Sequence, residues 1–418
     1  MKNKYAIGID IGTSSVKVVI GALPAEEDID SPIMRPNIIG VGVCPSDGMR
    51  KGVIVDINKV ADAIDRALAD AEKMSGVHVS CATVSINGTN IMGMPSHGMV
   101  AVSNPKQLIT QDEINRALEA ATIVKLAANR VIIDTQARTF KVDNQDGVRD
   151  PIDMTGMRLE VDVYVTTALM PQLRNVEQVL SRLEVEPHKP YIPAVLAAAR
   201  VAMTDRQREN GAVLIEIGHS TTSMVVYEEG DIIDVKVFPV GSNNITTDLA
   251  IGLRTDLDIA EKIKLQHAVA SASLRRGHED VLAIKTTTAN GEPRRIGFKS
   301  AVVDDIVEAR LEELFGMVNK ELKRIKKAAN LPCGAILTGG GANLRGIADY
   351  AKATLQMNVQ VYKPREYKDV SGKVADPMFT TAIGLMEADV EAVLREGDSG
   401  QKHSGGIFDS IKRMFERK

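Results

Sequence analysis

The stretch YAIGIDIGTSSVKVVIGAL, Tyr5 to Leu23, returns in altered form as VLIEIGHSTTSMVVYEEGDI, Val213 to Ile232. Both run an apolar strand into an acid, Ile-Gly and a cluster of hydroxyl residues, then continue into a second apolar strand. Each copy predicts a β-hairpin with a polar turn. Two copies in one chain predict two related lobes facing each other across a cleft. With 418 residues, each lobe can bury a core of its own.

The chemistry of the turns points to an anion. In Asp10-Ile-Gly-Thr-Ser-Ser-Val-Lys17, Gly12 permits a tight turn whose N–H groups face outward. Thr13, Ser14 and Ser15 add hydroxyls and Lys17 adds positive charge. Asp10 would repel a phosphate unless a Mg²⁺ ion and its waters stood between them. The second turn repeats the pattern with Glu216, Gly218, His219, Ser220, Thr221 and Thr222. A phosphate chain held between the two accounts for the duplication. A third element, Ala335 to Arg345, runs a strand into Gly339, Gly340 and Gly341 and then, past Asn343, into an expected helix whose start favours anions. Gly241 with Ser242, and Glu261 with Lys264 at helical spacing, are polar spots suited to a nucleoside.

Between the hairpins, helices and strands alternate, as in α/β lobes with mixed sheets. Asp56 to Met74 has apolar residues at helical spacing and Gly76 as its stop. Tyr191 to Met203 reads as a buried helix, and Val303 to Ala329 as a long one with a charged face. Residues 84–162 break the rhythm with several strand patterns and one helix from Gln111 to about Leu126, the mark of a small inserted α+β module.

Arg395 to Gly406 is polar and Gly/Ser-rich, as in a flexible linker. After it, Ile407, Phe408, Ile411, Met414 and Phe415 form one apolar face of a helix, flanked by Lys412 and Arg413. Residues 407–418 would span only about 18 Å at 1.5 Å per residue, so such a helix would lie on an anionic lipid surface and not cross it. Nowhere does a stretch of about 18 apolar residues occur, and no signal peptide is visible. A net charge of −4 and 3% aromatic residues disfavour a nucleic-acid binder. Cys44, Cys81 and Cys333 fit a reducing compartment, with neither a disulfide framework nor a zinc site.

In this order, these elements resemble the actin–Hsp70–sugar kinase superfamily, and within it FtsA, the bacterial cell-division actin homologues. The specific residues are Val142-Asp143, Asp150 to Val161, Tyr191 to Ala199, Asp248 to Arg254 and Ala260 to Lys264. The resemblance spans essentially the whole chain. It implies a two-lobed actin-like ATPase fold with an inserted α+β subdomain and a C-terminal amphipathic helix. The expected division is a first lobe over 1–83 and 163–200 and an inserted subdomain over 84–162. A second lobe follows over 201–365, with a smaller subdomain at about 242–333. The chain then returns to the first lobe over 366–394, before a linker over 395–406 and a membrane helix over 407–418.

By resemblance, ATP with Mg²⁺ would sit between the turns, with Asp10 reaching the metal through water. Filament formation, binding of the FtsZ C-terminal tail, recruitment of later division proteins and a place at the division site on the cytoplasmic face of the membrane are likewise implied. Arg294, Arg295, Lys299 and Arg310 are candidates for meeting an acidic FtsZ tail. The family usually carries Asp where Glu216 stands and Gly where His219 stands, and Pro before the Gln that is Gln136 here. Crowding of the γ-phosphate by Glu216 and His219 predicts weak or absent hydrolysis. Competing readings are a small-molecule kinase of the superfamily, for which no catalytic base stands out, and an actin-like scaffold of a pilus or secretion assembly.

Overall fold

The computed structural model describes residues 4–23, 35–188, 191–274, 281–287 and 293–398. The terminal segment 407–418 and the linker beyond Asp398 lie outside the described residues.

Both repeats are hairpins. Tyr5–Ile11 pairs antiparallel with Ser15–Ala22, which sets Asp10 opposite Lys17. Asn37–Pro45 and Cys81–Ile86 extend this sheet, the latter parallel to Tyr5–Ile11. The helix Ile57–Ser75 packs on it, capped by Asp56 at its start and ended by left-handed Gly76. In the second lobe, Ala212–Ile217 pairs with Thr222–Glu228, and Glu216 lies beside Thr338 of the parallel strand Ala335–Thr338. The sheet ends in Asp231–Phe238 on one side and Val359–Val361 on the other. Helices Ser242–Leu253, Leu257–His267 and Ser300–Arg324 and the two-stranded sheet Val281–Thr287 with Pro293–Lys299 share a core with it through Leu249, Ile263, Leu282 and Phe315.

Two helices join the lobes at their base. Ala194–Ala202 packs on Thr380–Asp398 so closely that a Cβ on Gly384 would stand 1.9 Å from the Ala197 carbonyl oxygen. The first begins at Ala194 and not at Tyr191, because Ile192–Pro193 pairs with Ser85 and Ile86. The second starts as a single 3₁₀ turn, Pro377–Phe379. It then runs through residues 395–398, which composition assigned to the linker. The helix-forming run Glu387 to Glu396 carries it that far. The long charged helix likewise spans Ser300–Arg324, earlier than its apolar spacing suggests.

The inserted module is a four-stranded sheet in the order Met92–Ala101, Arg158–Leu169, Arg130–Val142 and Gln145–Val148, covered by the helix Gln111–Thr122. Residues 84–86, placed in the module by the alternating pattern, belong instead to the first lobe. There Val84 lies beside Ile9, and the strand is buried on both faces. The module's last strand also continues beyond residue 162, to Leu169.

This module hangs from the first lobe but closes the sheet of the second. Asp231–Phe238 is an outer strand, and an open edge leaves backbone groups unpaired. Arg138 donates to the carbonyls of Ile232 and Ile233, and Arg149 donates to that of Glu229 at 2.6 Å. Val235 N–H donates to the Tyr164 hydroxyl at 2.8 Å, and the Arg138 guanidinium lies 5.0 Å from the centre of the Tyr164 ring. Tyr164→Phe leaves the Val235 amide buried without a partner, at a cost of about 1–3 kcal/mol. Hydrogen exchange at Val235 should quicken and the melting temperature fall; an unchanged exchange rate would show that the hydroxyl does not close this edge.

Candidate functional site

A cleft of about 540 Å³ opens between the lobes. Of the residues the sequence assigned to it, Asp10, Gly12, Thr13, Ser14, Ser15 and Lys17 line one side. Glu216, Gly218, His219, Thr221, Ser242, Glu261 and Lys264 line the other, and Gly339, Gly340, Gly341 and Asn343 lie at the base of the second lobe. Ser220, Thr222 and Gly241 are not part of the lining. Ser220 donates across the cleft to the Thr13 hydroxyl at 3.0 Å, so the two turns touch. Buried Thr222 donates to the Val240 carbonyl at 2.8 Å. Gly241 precedes the helix Ser242–Leu253, where any Cβ would stand 2.5 Å from the His219 carbonyl oxygen.

The floor holds two carboxylates. Asp10 accepts from Lys17 Nζ at 3.1 Å on one oxygen and from Ser85 Oγ at 3.1 Å on the other. Glu216 accepts from the Thr381 hydroxyl through Oε1, while its buried Oε2 has no hydrogen-bond partner. Burial, and next the negative charge of Asp10, push the Glu216 carboxyl up to about 7, against the smaller opposing effects of Thr381 and Lys17.

The glycine loop departs from expectation. Gly339 has a left-handed φ of 82°, and a Cβ there would stand 2.6 Å from the Ile217 carbonyl oxygen. A Cβ on Gly341 would meet the Ile217 side chain at 2.3 Å. These two glycines are therefore required by packing against the second hairpin, and Gly340 is the exposed member. No helix begins directly after them. A 3₁₀ turn, Gly340–Asn343, intervenes, and the helix Ile347–Leu355 starts only after Gly346. Asn343 donates to Asp376 at 2.9 Å, tying the loop to the segment that enters the joining helix.

At the opposite end, Lys264 Nζ lies 2.7 Å from Glu261 and 2.9 Å from the Thr246 hydroxyl. Burial raises the Glu261 carboxyl, but the hydrogen bonds from Lys264 and Thr246 outweigh it and hold the group below its ordinary value. The His219 ring is lowered by burial and by Lys264, so it is neutral near pH 7. The groups that act on it are Lys264 and Glu261, whereas Glu216 feels Asp10 and Lys17. The sequence grouped Glu216 and His219 as one crowded corner. Different charged groups act on the two, and Glu216 lies within its strand while His219 follows in the turn that bonds to the start of the helix Ser242–Leu253.

Asn87, Gln266, Arg345 and Asp376 also line the cleft and were missed. Asn87 follows the parallel strand Cys81–Ile86, and residues just past such strand ends commonly face a ligand crevice. That signal was hidden by assigning the strand to the module. Among the four basic candidates, Arg295 and Lys299 are exposed and alternate onto one face of Pro293–Lys299, with exposed Lys285 opposite Arg295. Arg310 does not join them. It is committed to Asp248 at 2.7 Å and to Glu313, whose hydrogen bonds and charge raise its guanidinium. Nothing is described of the Arg294 side chain.

A raised carboxyl makes stability depend on pH. Native Glu216 holds a proton that the unfolded chain releases above about 4.5. Its contribution is complete below that value and is lost as pH rises through about 7. Glu216→Gln should gain stability over the parent across this window, by on the order of 3 kcal/mol at 1.36 kcal/mol per unit, with a plateau above it. Denaturant melts of both chains with chelator present measure this. A difference independent of pH would contradict the buried, uncompensated carboxyl.

Comparison with known proteins bears on the whole chain. The family model described as "Cell division protein FtsA" matches residues 213–384, and that of the SHS2 domain inserted in FtsA matches residues 88–167. Cell division protein FtsA of Bacillus subtilis is 34% identical over 92% of this chain and 83% of its own length. That of Pseudomonas aeruginosa is 33% identical over 92% and 88%. Among solved structures, a chain of a PilM–PilN type IV pilus biogenesis complex superposes with a TM-score of 0.66 at 18% identity, covering 92% of this chain and 98% of that one. MreB 5 of Spiroplasma citri bound to AMPPNP gives 0.56 at 13% identity, covering 96% and 100%. These structures share the actin-like ATPase fold, and the sequence matches establish that the chain belongs to the FtsA family of cell division proteins.

Proposed function

We propose that this chain binds ATP with Mg²⁺ in the interlobe cleft, polymerises, and in that form ties FtsZ filaments to the cytoplasmic face of the membrane while recruiting later division proteins. The observation that carries the nucleotide reading is the pair of hydroxyl turns meeting over Asp10 and the unpartnered Glu216 Oε2. AMPPNP in the MreB structure supports it by analogy of fold. The donor set suits Mg²⁺, which keeps most of its waters and takes one or two carboxylates. Among the described residues no cluster of three or more His, Cys, Asp or Glu side chains forms a tighter metal cage. Asp10 and Glu216 would hold the ion through water, and it would neutralise phosphate charge there. Thr13, Ser14 and Thr221 would donate to phosphate, Gly340 would admit backbone contact, and Glu261 with Lys264 would hold the nucleoside. Hydrolysis is expected to be weak, because Asp10 is paired with Lys17 and the larger Glu216 and His219 stand where the family carries Asp and Gly. ATP is therefore a structural ligand favouring the closed, polymerising form, and turnover stays well below about 1 s⁻¹. Asp10→Ala should weaken the Mg²⁺ dependence of ATP affinity in calorimetry; a dependence equal to the parent's would reject the assignment.

No helix among the described residues is long and apolar enough to cross a membrane. Membrane attachment is assigned to residues 407–418 and the FtsZ tail to the basic face of Lys285, Arg295 and Lys299. A single short helix binds weakly, so attachment depends on many helices presented by one polymer. In vesicle flotation with ATP, the full chain should carry FtsZ to anionic liposomes. Removing residues 407–418, or Phe408→Glu with Phe415→Glu, should abolish flotation and leave ATP affinity unchanged. Flotation of the truncated chain would place the membrane contact elsewhere.

A further inference from the structure

His219 sits in the second turn and lines the cleft wall. Its backbone is fixed. The His219 carbonyl accepts from Asn243 N–H at 2.7 Å, and Gly218 accepts from Ser242 N–H at 2.9 Å. The Ser242 carbonyl in turn accepts from Lys264 Nζ at 3.4 Å. This chain of contacts anchors His219 beside the Glu261–Lys264 pair, away from the Asp10–Lys17 pair. The amides of Ser242, Asn243 and Asn244 at the start of this helix are all taken by the turn, by His219 and by Gly241. They are not available to hold phosphate.

We propose that His219 is a specificity-determining residue whose imidazole hydrogen-bonds a ribose hydroxyl of the bound nucleotide, alongside Glu261 and Lys264. The inference rests on the nucleotide reading above and deepens it by naming the sugar. Three features support the sugar over a phosphate. The ring is neutral at pH 7 and so offers one donor and one acceptor, which matches a hydroxyl. The charged groups beside it are a balanced pair, Glu261 and Lys264, with no excess of positive charge to attract an anion. The Lys17 ammonium suited to phosphate is paired with Asp10 and is not among the charges that act on the ring.

Calorimetry at pH 7.5 on the full chain tests this with ATP, 2′-deoxy-ATP, 3′-deoxy-ATP and adenosine, using the parent, His219→Ala and His219→Gln. The parent should prefer ATP over one of the deoxy analogues by roughly three- to ten-fold, the scale of a single net hydrogen bond. His219→Ala should weaken ATP and adenosine by that same factor and bind that analogue no more weakly than ATP, as expected when both partners of one contact are removed. His219→Gln, which keeps a neutral donor, should recover part of the preference. If the parent binds ATP but His219→Ala keeps its ribose preference, the His219 assignment is overturned while the nucleotide reading stands. A loss seen with ATP and absent with adenosine would assign the ring to a phosphate and overturn the sugar contact. Failure of the parent to bind ATP at all would overturn both.

Discussion

The structure turns on two carboxylates that its repeated hairpins bring to one cleft floor. Asp10 and Glu216 occupy equivalent places in the two copies, each on the first strand just before Ile-Gly. One is neutralised within the fold, by Lys17 across its own hairpin. The second hairpin has Ser223 at the matching place and supplies no cation. Glu216 therefore carries an uncompensated tendency to take up either a proton or an external positive charge. Two sets of charges meet in the cleft: Asp10, Lys17 and Glu216 act on one another, and Glu261 and Lys264 act on His219.

One helix connects this floor to both lobes. Asp389 of Thr380–Asp398, fully buried, accepts from Ile7 N–H at 2.8 Å and from the Thr83 hydroxyl at 2.7 Å, both in the first lobe's sheet. One end of the same helix presents Thr381 to Glu216 and Thr380 to Thr338, both in the second. Glu216 thus contacts a helix that is also fixed to the first hairpin. The inserted module adds a second bridge, because Arg138, Arg149 and Tyr164 close the edge of the sheet that carries Glu216. The two lobes are thus tied to each other at two places, through this helix and through the module.

Much of this was legible in the residues. The hairpin echo gave the lobes, and the polar turns gave the two walls, because alternation and turn chemistry are local properties. What escaped was tertiary. Nothing local marks Ser85 and Val84 as lobe residues, since a central strand and a module strand share the same apolar pattern. The glycines at 339 and 341 look like ligand contacts until Ile217 is seen to fill their space. Arg310 looks free until Asp248, on another helix, is found beside it. His219 and Glu216 are close in sequence, and only the path of the turn toward Ser242 separates their roles.

A crystal structure of the full chain grown with Mg²⁺ and a non-hydrolysable ATP analogue tests the central claim most directly. The account predicts phosphates between the Thr13–Ser15 and Ser220–Thr222 turns, the ion on the side of Asp10 and Glu216, and the ribose against Glu261, Lys264 and His219. A nucleotide bound with its phosphates away from these two turns, or an empty cleft at saturating analogue, would contradict it.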